Sequence, residues 1–233
     1  MPPRLDQIAE LTRGIELPLQ PLHEEHLRII AEGLFDAWTD LLQRHAQVVL
    51  TDNEAAINAL METRLLARIE EDPLWAQMVR AVARGRETVS FDGTHLEKRP
   101  DLSLFLTCRN ASFPMAIECK IVDEANDKSG KLYCDKGLSR FLTGEYAWAT
   151  REAFMIAYVR DKSTIASALM PLLIAPYSGV SPYAAESAMV SIGTSPPDLA
   201  KSSHKRSFRY PLRQPPSDQP GAIALWHLWL PAT

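Results

Sequence analysis

The chain has 233 residues, of which 46% are hydrophobic and 23% charged, a composition typical of a folded globular protein rather than a disordered one. Its formal net charge of −4 argues against a non-specific nucleic-acid coat, but leaves room for an enzyme that touches nucleic acid through one local patch. No apolar run has the length to span a bilayer, and "MPPRLDQIAELTRG" lacks the basic-then-apolar pattern of a secretory signal. Three cysteines without a CxxC pair speak against a disulfide framework or structural zinc and point to a reducing cytoplasm.

From Pro21 to about His45, apolar residues at Leu27, Ile30, Leu34, Trp38, Leu41 and Leu42 describe one face of an amphipathic helix. A second helix is expected to begin at Thr51, because Thr51 and Glu54 stand in the S/T-x-x-E relation of a capping box. Asp72-Pro73 interrupts it. "PLWAQMVRAVARG" then reads as a shorter helix, with Pro in its first turn and Gly at its end. The character changes at Glu87, where "ETVSF", "DLSLFLT" and "FPMAIECKI" predict strands. A helix over roughly Asp135 to Arg151 follows, then a strand in "AFMIAYV" and a helix in "STIASALMPLLIA". "AMVSIG" and "AIALWHLWL" read as further strands, and "PLRQPPSDQPG" as a loop. Helices first, a hairpin next and alternation after it predict a layered α/β or α+β fold.

Within this pattern Asp101, Glu118 and Lys120 stand out, since charges on core strands cost free energy unless paired or bound to a metal. With a hairpin turn in "CRNAS" centred near Asn110, Asp101 falls opposite Cys119, give or take a residue. Glu118 and Lys120 flank that point on one sheet face and Cys119 points to the other; a one-residue slip would reverse the faces. Two carboxylates and a main-chain carbonyl are hard oxygen ligands of the kind Mg²⁺ prefers. Phosphodiester hydrolysis uses such an arrangement, with a lysine as fixed positive charge. The plain alternative is a surface hairpin with a cross-strand salt bridge of little worth.

Arg99-Pro100-Asp101, followed after sixteen residues by Glu118-Cys119-Lys120, resembles the P-D…(D/E)-x-K signature of the restriction-endonuclease-like, or PD-(D/E)XK, nuclease superfamily. The resemblance, which covers roughly Thr51 to Val159, implies a mixed central sheet flanked by helices; the nuclease domain is expected over residues 51–233, preceded by a helical extension at 1–50. It implies a Mg²⁺-dependent nuclease, with Mn²⁺ as substitute, acting on DNA in preference to RNA. Asp101 and Glu118 would hold the metal with the Cys119 carbonyl, and Lys120 would orient the attacking water. The family commonly places a glutamate on the helix before the sheet, for which Glu54 is the candidate, although the capping box also accounts for it. The helix after E-x-K supplies polar residues, and Arg140 is the candidate there. Many such enzymes form homodimers to cut both strands, and by analogy alone a bacterial defence role suits a small nuclease. The alternative is an inactive module of the same fold that binds nucleic acid or a protein.

"KSSHKRSFRYPLR", residues 201–213, holds five basic residues, one histidine and no acid. Lys201, His204, Lys205, Arg206, Arg209 and Arg213 are therefore the candidate nucleic-acid contact, with Phe208 and Tyr210 either stacking on bases or packing inward. Lys128, Lys131 and Lys136 alternate with acids and read as a solvated surface. His23-Glu24-Glu25-His26 has the wrong histidine spacing for a zinc protease, and "SGKLY" lacks the rest of a phosphate-binding loop.

Overall fold

A computed structural model describes residues 5–94, 98–174, 182–193 and 195–232. After α1 (Leu5–Leu11), α2 (Glu24–Thr51), α3 (Glu54–Glu71) and α4 (Pro73–Met78), the chain enters β1 (Val79–Arg84), β2 (Leu102–Leu106) and β3 (Met115–Val122). Helix α5 (Gly130–Tyr133) runs through a π-helical stretch (Cys134–Leu138) into α6 (Ser139–Leu142), and β4 (Glu152–Val159) follows. A second π stretch (Ile165–Leu169) leads into α7 (Met170–Leu173), and β5 (Val190–Ser191), β6 (Leu199–His204) and β7 (Ile223–Pro231) complete the sheet.

The seven strands lie in the order β1-β2-β3-β4-β7-β6-β5. The central β3, β4 and β7 are parallel and the outer pairs antiparallel, so the protein is α/β with a mixed sheet. Parallel strands covered on both faces read as unbroken apolar runs, and β4 is buried along its whole length. On one face Leu34, Trp38, Ile57 and Met61 of α2 and α3 pack against Ile117, Ile121, Phe154 and Tyr158. On the other, Tyr133, Leu138 and Phe141 cover Val122, Met155 and Ala157. Helix α2 is a full layer of this core: Trp38 stacks on Tyr158 at 5.0 Å and donates its Nε1–H to the Pro231 carbonyl at 2.8 Å.

Several boundaries differ from the sequence reading. The segment after Asp72 is helical only to Met78 and then becomes edge strand β1. A β-bulge between Val79 and Ala81 puts Val79 and Val82, three residues apart, on the same buried face, and that spacing imitates a helix. "ETVSF" forms one isolated bridge, Thr88 to Lys98, because β1 already takes the free edge of β2. The helix after β3 starts earlier than Asp135, where Ser129 accepts from the Leu132 N–H, and ends before Gly144, whose φ of +78° suits a left-handed helix stop. "AMVSIG" contributes only two strand residues, while Leu199–His204, at the start of the basic stretch, is a strand.

Candidate active site

The hairpin pairs Leu102 with Ile117, Ser103 with Ala116 and Leu104 with Met115, one residue from the expected register. Because β2 begins at Leu102, the rest of β3 has no strand on that side, and its edge N–H groups must find other partners. The Cys119 N–H donates to Asp101 Oδ2 at 2.8 Å and the Ile121 N–H to Glu54 Oε1 at 3.0 Å. The unpaired edge thus fixes two carboxylates. Glu54 can serve because it does not close a capping box. Helix α2 runs on to Thr51, whose hydroxyl bonds back to Gln47, and Asn53 caps α3 by accepting from Ala56.

Lys120 lies among these acids, with Nζ 2.8 Å from Glu118 Oε1, 3.5 Å from Glu54 Oε2 and 3.6 Å from Asp101 Oδ2. It also donates to the Cys119 carbonyl at 2.7 Å. Glu118 is 1% exposed, and Arg140 Nη1 approaches the same Oε1 at 3.2 Å. Neither contact is aligned as a hydrogen bond, so among the described residues both Glu118 oxygens are buried without one. Arg140 in turn donates to the Tyr146 hydroxyl at 2.7 Å, which donates to the Arg99 carbonyl at 2.8 Å. Gly137, in the π-helical stretch, lets the helix close over the site, since a Cβ there would stand 3.4 Å from Glu118 Cγ and 2.6 Å from Met155 Cε.

Burial, reinforced by the Asp101 charge and only partly offset by Lys120 and Arg140, pushes the Glu118 carboxyl up to about 7. Burial also raises Asp101 against the pull of Lys120 and the Cys119 N–H. Burial alone would lower Lys120, but Glu118, Asp101 and Glu54 outweigh it and hold the ammonium well above its usual range. The Tyr146 hydroxyl is pushed up to about 12, first by burial and then by Glu118.

Among the described residues no three His, Cys, Asp or Glu side chains are preassembled around a metal position; the cation shared by the acids here is Lys120. Mg²⁺ commonly takes only one or two protein carboxylates and completes its shell with water and phosphate. The donor set fits that habit: Asp101 and Glu118 are hard oxygen ligands, and Glu118 Oε2 makes no hydrogen bond among the described residues.

The candidate basic surface is not brought together. Lys201 pairs with Glu24 at 2.7 Å on the α2 side. His204 is fully buried on the opposite face, where its ring bonds to Ser202 Oγ at 2.6 Å and the Tyr183 carbonyl at 2.8 Å. Arg206 donates to the carbonyls of Ala147, Trp148, Thr150, Pro220 and Gly221. Arg209 pairs with Asp218, and Arg213 donates to the Ile15 carbonyl. Phe208 and Tyr210 pack inward, and Lys205 is exposed. Strand alternation in β6 and the turns after it send neighbouring basic residues in different directions, which a composition count does not register. Tyr146 and Gly137 were not signalled by the sequence, since neither belongs to a local motif. No family model, curated protein or solved structure matches the chain.

Proposed function

We propose that the protein is a Mg²⁺-dependent endonuclease of the PD-(D/E)XK type, hydrolysing phosphodiester bonds in nucleic acid, with DNA favoured over RNA. One observation carries this reading: Asp101, Glu118 and Glu54, from three separate segments of the chain, converge on Lys120 where the edge of β3 is left free. The mixed sheet and the helix layer on each face are compatible with a restriction-endonuclease-like fold.

Asp101 and Glu118 would hold Mg²⁺ or Mn²⁺, with the Cys119 carbonyl as a further oxygen. An ion held there would supply charge neutralisation at the phosphate and a more acidic water. Lys120, kept protonated by its carboxylates, supplies a fixed positive charge and orients the water. Arg140, held by Tyr146, keeps Glu118 in place and adds a second cation. A second reading, an inactive module of this fold, draws on a different observation: Lys120 Nζ already contacts both Glu118 and the Cys119 carbonyl.

The deciding experiment incubates plasmid, linear and single-stranded DNA with Mg²⁺, Mn²⁺ or EDTA and compares wild type with folded Lys120→Ala and Asp101→Ala. Metal-dependent cutting that is lost in both variants supports the nuclease. Equal residual cutting in all three proteins refutes it, and retention of DNA without cutting favours the inactive module.

A further inference from the structure

Beside the carboxylate cluster, on the same face of the sheet, lies a cavity of about 120 Å³ whose lining includes Ser103, Ala116, Pro100, Phe113 and Trp148. Its floor is the Ser103–Ala116 pair of the β2–β3 hairpin. Each floor residue is two positions from a proposed metal ligand, Ser103 from Asp101 and Ala116 from Glu118. Residues two apart on a strand share a face and are separated by only about 7 Å. Its rim includes Glu87 and Ser112, both exposed.

Three features of this cavity point to a ligand. Ser103 is fully buried, and its hydroxyl has no hydrogen-bond partner among the described residues; buried hydroxyls are ordinarily satisfied, and an unsatisfied one needs explaining. The wall is aromatic, with Phe113 and Trp148 edge to face at 5.6 Å, and the indole N–H is already taken by the Val89 carbonyl, so the ring offers contact surface rather than a donor. At the rim Arg86 lies 4.8 Å over the Phe105 ring and donates to the Ala111 carbonyl, which fixes a cation beside the cavity. A dry cavity of about 150 Å³ holds a benzene ring. At about 120 Å³ this cavity is closer in scale to one six-membered ring than to a fused bicycle.

We infer that this cavity receives an unstacked pyrimidine base of the bound strand, packed against Trp148 and hydrogen-bonded through its edge to Ser103. Sequence-tolerant stacking on aromatic residues is a common way to hold single strands; here cavity size adds a preference for pyrimidine over purine. A substrate base reaches this cavity only if the adjacent cluster is the phosphodiester centre proposed above.

The test measures binding of short labelled oligothymidylate, oligodeoxyadenylate and fully abasic strands by fluorescence anisotropy, with Ca²⁺ replacing Mg²⁺ to keep the strands intact. Wild type, Ser103→Leu, which fills the cavity, and Ser103→Ala, which removes only the hydroxyl, are compared. Wild type should prefer thymidylate over the abasic strand by about tenfold and should not favour adenylate, the effect expected of one stacked base. Ser103→Leu should abolish that preference and Ser103→Ala lower it about threefold, both with unchanged affinity for the abasic strand. Should Ser103→Leu fail to fold, Ser103→Ala decides. A wild type that binds and, with Mg²⁺, cuts thymidylate and abasic strands alike overturns the base pocket and leaves the nuclease standing, and so does a preference that persists in Ser103→Ala. A wild type that neither binds nor cuts any strand overturns both.

Discussion

Glu118→Gln should make the metal-free protein more stable at alkaline pH. The carboxyl is protonated in folded and unfolded chains alike below its ordinary 4.5 and is held up to about 7 in the folded state. Between those values the unfolded chain releases the proton and the folded chain keeps it, so stability falls as pH rises through the window. At 1.36 kcal/mol per pH unit, the loss amounts to about 3 kcal/mol above pH 7. An amide of the same size escapes it, while Lys120 keeps Asp101 and Glu54 as partners. In EDTA at pH 8 the variant should unfold about 6–12 °C above wild type, the usual conversion for a domain of this length. The gap should close as the pH is lowered to 4.5. Added Mg²⁺ should raise the wild-type midpoint and leave the variant's in place. A Gln variant equal to or weaker than wild type at pH 8, or a gap independent of pH, would refute the reasoning. The burial of Glu118 would then carry no penalty.

Arg109 and Glu152 form an ion pair at 2.5 Å with side chains 5% and 2% exposed, so Arg109→Met should cost about 3–5 kcal/mol in urea unfolding by stranding a buried carboxylate. Adding Glu152→Leu should recover most of that loss. Gly137→Ala should lose about 1–3 kcal/mol, because its Cβ meets Met155 Cε at 2.6 Å; shortening Met155 to Val should restore part of it, as read by the urea midpoint. Burial, with His204 beside it, lowers His227 from 6.5 to about 3, so its neutral form is kept on folding and stability falls as pH drops below 6.5. At pH 4.5 this contribution reaches about 3 kcal/mol, and His227→Gln should flatten the acid limb of a stability–pH curve.

The hairpin was legible because two rules act on it independently: strand alternation sets Glu118 and Lys120 on one face, and the turn position sets Asp101 within a residue of them. Glu54 was legible as a candidate, but its mode of attachment was not. The Ile121 N–H that holds it is free only because β2 starts late, a fact of tertiary pairing. Strand β1 was hidden by its bulge, which gives two valines a helical spacing. The stretch from Lys201 to Arg213 misled for a different reason. Charge sums ignore direction, and Arg206 spends its donors on five backbone carbonyls while His204 faces the core.

The order of the strands bears on when the site can form during synthesis. Strand β7 is the last made of the seven, yet it lies inside the sheet, where it pairs with β4 on one side and β6 on the other. Its final carbonyl also anchors Trp38 of α2, 193 residues earlier. Asp101, Glu118 and Lys120 therefore leave the ribosome long before the strand that completes their platform. Contacts so far apart in sequence make folding slow, and an emerging chain carries the acids and lysine of the site without the rigid sheet that aligns them. The arrangement of this cluster on a complete sheet is therefore reached only once residues 223–231 have been made and inserted.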